Sequence, residues 1–205
     1  MQQSSTQQLQ VPVAGRDCGT CTLCCKVLRI DEVESPAGEW CKHCAPGKGC
    51  RIHPERPDRC RDFYCMWLSQ EGLGPEWKPE RSKIVLRSEL NGQRLAAHVD
   101  PGSPGAWRRT PYFQVLKRWS ADALAKQQQV SVWIGMHCIV ILPDKEIDLG
   151  VIAPDEVVVS MTRMTPQGPE HGAEKMKLSD VEARQREWAA AKQRFDFGGG
   201  DTAAR

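Results

Sequence analysis

The sequence predicts an α+β fold: a loop-rich, metal-bound cysteine module, then a small antiparallel sheet with a packed helix, then a C-terminal helix. Three observations predict it. Nine of the ten cysteines fall between Cys18 and Cys65. The chain beyond them carries short runs of β-branched residues set off by turn signals. One longer stretch, "TPYFQVLKRWSADALAKQQQ", repeats its apolar residues at helical spacing. With 205 residues there is room for one ordinary domain and a small attached module.

Taken in order, residues 1–16 ("MQQSSTQQLQVPVAGR") have neither the basic start nor the apolar run of a secretory signal. Their Gln and Ser bias predicts a disordered tail. The cysteine module occupies 17–69, and the Gly- and Pro-containing "SQEGLGPEWKPERS" connects it to a small α+β domain over 70–172. In that domain "KIVLRSELNGQRLAAHV" reads as two strands around Leu90-Asn91-Gly92-Gln93, since Asn and Gly tolerate positive φ. The helix follows, with Thr110 as expected N-cap and Pro111 at its first position. Tyr112, Val115, Leu116, Trp119, Ala123 and Leu124 give it an apolar face. Residues 130–142 read as a second hairpin turning near Gly135-Met136-His137, and "EIDLG" and "EVVVSMTRM" as further strands. The last part, 173–205, carries a capping box from Ser179 to Glu182 and a stripe of Val181, Trp188 and Phe195, followed by a flexible end.

The bulk numbers exclude several classes. A net charge of +2 carries no basic excess, so nucleic acid is not an expected partner. The longest apolar run, "VSVWIGMHCIVILP", is too short to cross a bilayer, and no lipidation motif is present, so no membrane attachment is expected. The expected compartment is the cytoplasm, where thiols stay reduced. Ten cysteines there need a reason other than disulfides, and metal is the leading one.

The clustered thiols form three groups: Cys18, Cys21, Cys24 and Cys25; then Cys41, Cys44 and Cys50; then Cys60 and Cys65. A C-x2-C step places two sulfurs on one side of a tight turn, close enough to share an ion. Successive steps from Cys18 to Cys24 offer three thiolates from one loop, a geometry used by zinc sites and iron–sulfur loops alike. Adjacent Cys24 and Cys25 diverge, so one of them bridges or serves a second ion. The candidate ligands are Cys18, Cys21, Cys24, Cys25, Cys44, Cys50 and Cys60, with Cys41 and Cys65 as additional candidates. Arg56 and Arg61 are expected to offset surplus thiolate charge and donate hydrogen bonds to sulfur. His43 is expected to point away from the metal, and Cys138 to act as a small hydrophobe in a strand.

"CGTCTLCC", followed by "GCRIHPERPDRCRDF", resembles the CxxCxxCC family of zinc- or iron-chelating domains. The resemblance covers about residues 17–66 and rests on Cys18, Cys21, Cys24, Cys25, Cys50, Arg56-Pro57, Cys60-Arg61 and Phe63. It implies metal binding through those cysteines. Cys41, Cys44 and Cys65 go beyond its core pattern, and His53 stands where relatives carry an aromatic residue. Similar clusters occur in iron–sulfur oxidoreductases and in a flagellin lysine methylase group. This chain has no Gly-rich methyl-donor loop, so methylation is not carried over.

No catalytic constellation is legible; if the chain is an enzyme, an iron or iron–sulfur oxidoreductase is the class the cysteines suit. The first expected function is chelation of zinc or iron, with two ions fitting the thiol count. An iron–sulfur redox protein is the second, and a zinc-stabilised adaptor whose C-terminal helix engages a protein partner is the third.

Overall fold

The computed structural model describes residues 11–197, and side chains through residue 191. Two units appear, one ending at Gly150 and the other starting at Val151. The first opens with the cysteine module: α1 (Cys24–Val27), β1 (Cys44–Ala45), β2 (Gly49–Cys50), α2 (Asp58–Arg61) and α3 (Met66–Ser69). It continues through α4 (Pro79–Ser82), β3 (Ile84–Glu89), β4 (Arg94–Val99), α5 (Tyr112–Ala125), β5 (Gln129–Ile134), β6 (His137–Ile141) and β7 (Glu146–Val151). The architecture is α+β, as the sequence predicts.

Strands β3 to β7 form one sheet in sequence order. Its β3–β4 and β5–β6 pairs are antiparallel hairpins, the first with Asn91 at φ 54° and Gly92 at φ 88°. The sheet is not wholly antiparallel, however. β4 and β5 run parallel, because α5 carries the chain back across one face before β5 begins. That face buries Ile84, Leu86, Val99, Val132 and Ile141 beneath Tyr112 and Leu116 of α5. Each such side chain contributes roughly 1.5–3 kcal/mol on burial. The start of α5 also differs from expectation. The helix begins at Tyr112 with Pro111 in the cap position, and Thr110 instead accepts a hydrogen bond from the Gln114 side chain at 3.2 Å. Thr110 thus stands one residue outside the cap position, and its hydroxyl serves a side-chain donor instead of a first-turn N–H.

The cysteine module does not separate from the sheet near residue 70. Val85 of β3 packs into a second apolar cluster with Leu23, Val27, Leu28 and Leu68, so the module and the sheet share a core. A polar tie crosses the seam, and others fix the N-terminal segment to the chain around α3. The Lys26 ammonium lies 2.7 Å from Asp100, both largely buried. Burial alone would push the Asp100 carboxyl up, yet Lys26 and the Gly102 N–H hold it below the usual carboxylate range. Arg16 donates to the carbonyls of Trp67, Gln70, Glu71 and Leu73, and the Val13 N–H bonds Leu68. Residues 13–16 are therefore anchored rather than part of a disordered tail; the rest of that expectation, residues 1–10, lies outside the described residues. Finally, Gly38 lies backbone to backbone against Gly135 of the β5–β6 turn, where an added Cβ would stand 3.2 Å from the Gly135 Cα.

The second unit holds β8 (Glu156–Thr165), β9 (Gly168–Lys177) and α6 (Leu178–Phe197). The two strands pair along their whole length around Pro166 and Gln167. The expected boundary at 172/173 thus falls inside β9. The capping box does not form: α6 starts at Leu178, two residues before the expected first position at Asp180, and Ser179 donates to Asp180 at 3.3 Å. Val181 is half-buried and Trp188 is 69% exposed, so the stripe is not a buried seam; the Phe195 side chain and the flexible end from residue 198 lie outside what is described. No helix among the described residues is long and apolar enough to cross a membrane.

Candidate metal centre

Each cysteine group is positioned by local backbone chemistry. The Cys21 N–H bonds the Cys18 carbonyl at 2.9 Å, and the Cys44 N–H bonds the Cys41 carbonyl at 2.9 Å. Both C-x2-C steps are therefore closed turns, with the two sulfurs of each step brought to one side. β1 and β2 pair Cys44 directly with Cys50, which places their side chains on the same face. The Cys41 N–H bonds the Cys25 carbonyl at 2.9 Å, and the Gly47 N–H bonds the buried Thr22 hydroxyl at 3.0 Å. These bonds lay the second cysteine group over the first. Cys60 sits in α2, turned in by Arg56-Pro57, and Cys65 occupies the N-cap of α3.

The nine thiols sort into two adjoining cavities. Cys18, Cys21, Cys24 and Cys65 line the smaller, of about 40 Å³, whose other walls include Trp67, Leu68, Pro79 and Val85. Cys25, Cys41, Cys44, Cys50 and Cys60 line the larger, of about 90 Å³, and Cys24 lines it too. The doublet is explained by α1. Neighbouring residues on a helix point about 100° apart, so Cys24 reaches both cavities while Cys25 faces only the larger. All ten cysteines are free thiols, and among the described residues no three Cys, His, Asp or Glu side chains already converge on a common point.

Several of these thiols are held above the ordinary thiol value, burial being a cause in each. Burial pushes Cys65 up to about 11, and burial together with the Cys25 thiol pushes Cys44 to about 11. The hydrogen bond that the Cys25 thiol donates to Cys24, with burial next, raises Cys25 far above the usual thiol value. Burial also raises Cys21 and Cys60. The walls also supply donors. The Arg56 Nε, the Ser35 Oγ and the Trp67 Nε1 are all buried without a partner; Arg56 and Ser35 line the larger cavity and Trp67 the smaller. Orphaned buried donors cost roughly 1–3 kcal/mol each, and a thiolate sulfur is an acceptor that would satisfy them. The donor set therefore fits a thiolate-held ion.

The candidate residues are placed as follows. Every candidate cysteine, Cys41 and Cys65 included, faces one of the two cavities. Arg56 lines the larger cavity, whereas Arg61 is exposed, bonding the Arg56 carbonyl at 3.0 Å and pairing with Asp58 at 3.1 Å. Arg59 is the second guanidinium on the cavity wall, tied to Glu32 at 3.3 Å. His43 is among the residues that line the larger cavity, while His53 is exposed. Ser35 and Trp67 carry no spacing signal; only the docked structure brings them to the sulfurs. Cys138 is fully buried in β6, its thiol pushed by burial to about 12.

Compared with known proteins, the chain matches no family model, no curated protein and no solved structure.

Proposed function

We propose that the protein binds zinc or iron through its N-terminal cysteine cluster, consistent with the motif likeness to the CxxCxxCC family. One observation carries the reading: nine free thiols from three separate groups line two touching cavities whose walls hold buried donors with no other partner. Cys18, Cys21, Cys24, Cys25, Cys41, Cys44, Cys50, Cys60 and Cys65 would supply the ligands, with Arg56 beside them. A bound ion supplies the positive charge that makes these thiols give up their protons. A reducing compartment such as the cytoplasm keeps them available for it.

The iron–sulfur reading is favoured by one feature. Three thiols of one loop and a fourth from Cys65 surround a cavity with otherwise apolar walls, a donor set such clusters also take. Anaerobic purification followed by elemental analysis and an absorption spectrum separates the two. Zinc without a visible band supports the redox-inert reading, iron and sulfide with a visible band supports the cluster, and a metal-free chain that takes up neither overturns both.

A further inference from the structure

We infer that the two cavities are two metal centres of different character, a retained one and an exchangeable one; this rests on the metal-binding reading above. The smaller centre is Cys18, Cys21, Cys24 and Cys65. Four thiolates complete a tetrahedral zinc shell and leave no spare ligand. Apart from the partnerless Trp67 N–H, the remaining walls are apolar and come from both sides of the seam: Trp67 and Leu68 of α3, Pro79 of α4 and Val85 of β3. Leu68 and Val85 are 4% and 1% exposed and also belong to the apolar cluster that joins module to sheet. Releasing an ion there would open part of that shared core. Solvent meets this centre at Cys18, the one exposed thiol of the four.

The larger centre has the opposite features. Five thiols besides Cys24 face it, at least one more than a tetrahedral ion takes. A surplus thiolate can enter as another leaves, so an ion is passed on without losing its shell. His43, Arg56 and Arg59 bring polar groups to its wall, and about 90 Å³ against about 40 Å³ leaves room for such a rearrangement. Its frame consists of two-residue strands and a four-residue helix, which rearrange at little cost. Cys24 stands on the wall between the two and holds them in register. The larger centre thus suits acceptance and delivery of a thiophilic divalent cation, and the smaller one holds the fold that presents it. Binding is a proton exchange with no redox change: each ligating thiol releases one proton as the ion enters.

The test uses the full-length chain loaded with zinc under anaerobic conditions and challenged with a chromogenic chelator. Two zinc ions per chain are expected, released in two phases that differ by about tenfold or more. Alkylation during the challenge, read by mass spectrometry, should label Cys41, Cys44, Cys50 and Cys60 in the fast phase, with Cys21 and Cys65 protected until the slow one. Cys60→Ser should alter the fast phase alone. Trp67→Phe keeps an aromatic ring, smaller than the indole, and removes the orphaned N–H; it should speed the slow phase about tenfold while sparing the fast one. A chain that retains neither zinc nor, in a parallel loading, iron overturns the metal-binding reading itself, and one that retains iron alone overturns the zinc assignment of the two centres. One ion per chain, two ions lost at one rate, or a reversed labelling order overturns only the division into two centres.

Discussion

The cysteine module and the five-stranded sheet belong to one compact unit, yet different forces hold them. The sheet is continuous ladder and apolar burial: six residues of β4 pair on both sides, and Ile84, Leu116 and Val132 are fully buried. The module has strands of two residues, helices of four, and an apolar cluster that depends on Val85 from the sheet. Between its loops stand thiols rather than side-chain packing. The difference teaches that the sheet can fold on its own hydrophobic core, while the module's apolar cluster is small and borrowed in part from the sheet, so that on the proposed metal binding an ion would supply the missing cohesion.

Metal removal should break the comparison most visibly. Structural zinc contributes on the order of 10 kcal/mol to domains that fold around it. Chelation is expected to erase hydrogen-exchange protection across residues 17–69 while β3–β6 retain theirs; equal protection in both regions without metal would refute the contrast. A cavity in the sheet should do the reverse. Leu116→Ala is expected to cost about 2–5 kcal/mol in urea unfolding, with metal content at full stoichiometry in the folded fraction. A metal deficit in that folded fraction would mean that the centres depend on the α5 side of the sheet.

The smallest effect sharpens the contrast through pH. The Cys138 thiol is raised from 9.0 to about 12 by burial in β6. An unfolded chain loses this proton above 9 and the native chain keeps it, so the native state binds more protons in that window. The contribution is complete below pH 9 and is lost as pH rises through about 12. Metal-loaded wild type is therefore expected to lose stability between pH 8.5 and about 10.5 more steeply than Cys138→Ala, as read from urea midpoints. Identical slopes would show that Cys138 is not the group responsible.

Much of this was legible in the residues, and what escaped did so for physical reasons. Helical spacing marked α5, and Asn91-Gly92 marked the first hairpin, because both signals are local. The parallel pairing of β4 with β5 is not local: apolar alternation says which face is buried, not in which direction a partner runs. β9, "GPEHGAEKMK", has little strand propensity of its own and is extended through its ten-residue pairing with β8. In the site, spacing announced that the cysteines act together but not how they divide. Cys65 joins Cys18, Cys21 and Cys24 only because α3 docks on β3, a contact made by Leu68 and Val85. Trp67 reads as an ordinary core aromatic until its N–H is seen to lack an acceptor.

The contact of Gly38 with Gly135 has a consequence for how the larger cavity keeps its dimensions. Gly38 is three residues from Cys41, and its N–H bonds the Lys26 carbonyl at 2.8 Å just before the Cys41 N–H bonds Cys25. The turn between β5 and β6 therefore acts as a backstop: it sets how far the loop can sink, and with it the depth at which the Cys41 sulfur is offered. A side chain at either glycine would work as a shim, lifting one wall of the cavity without touching a single cysteine.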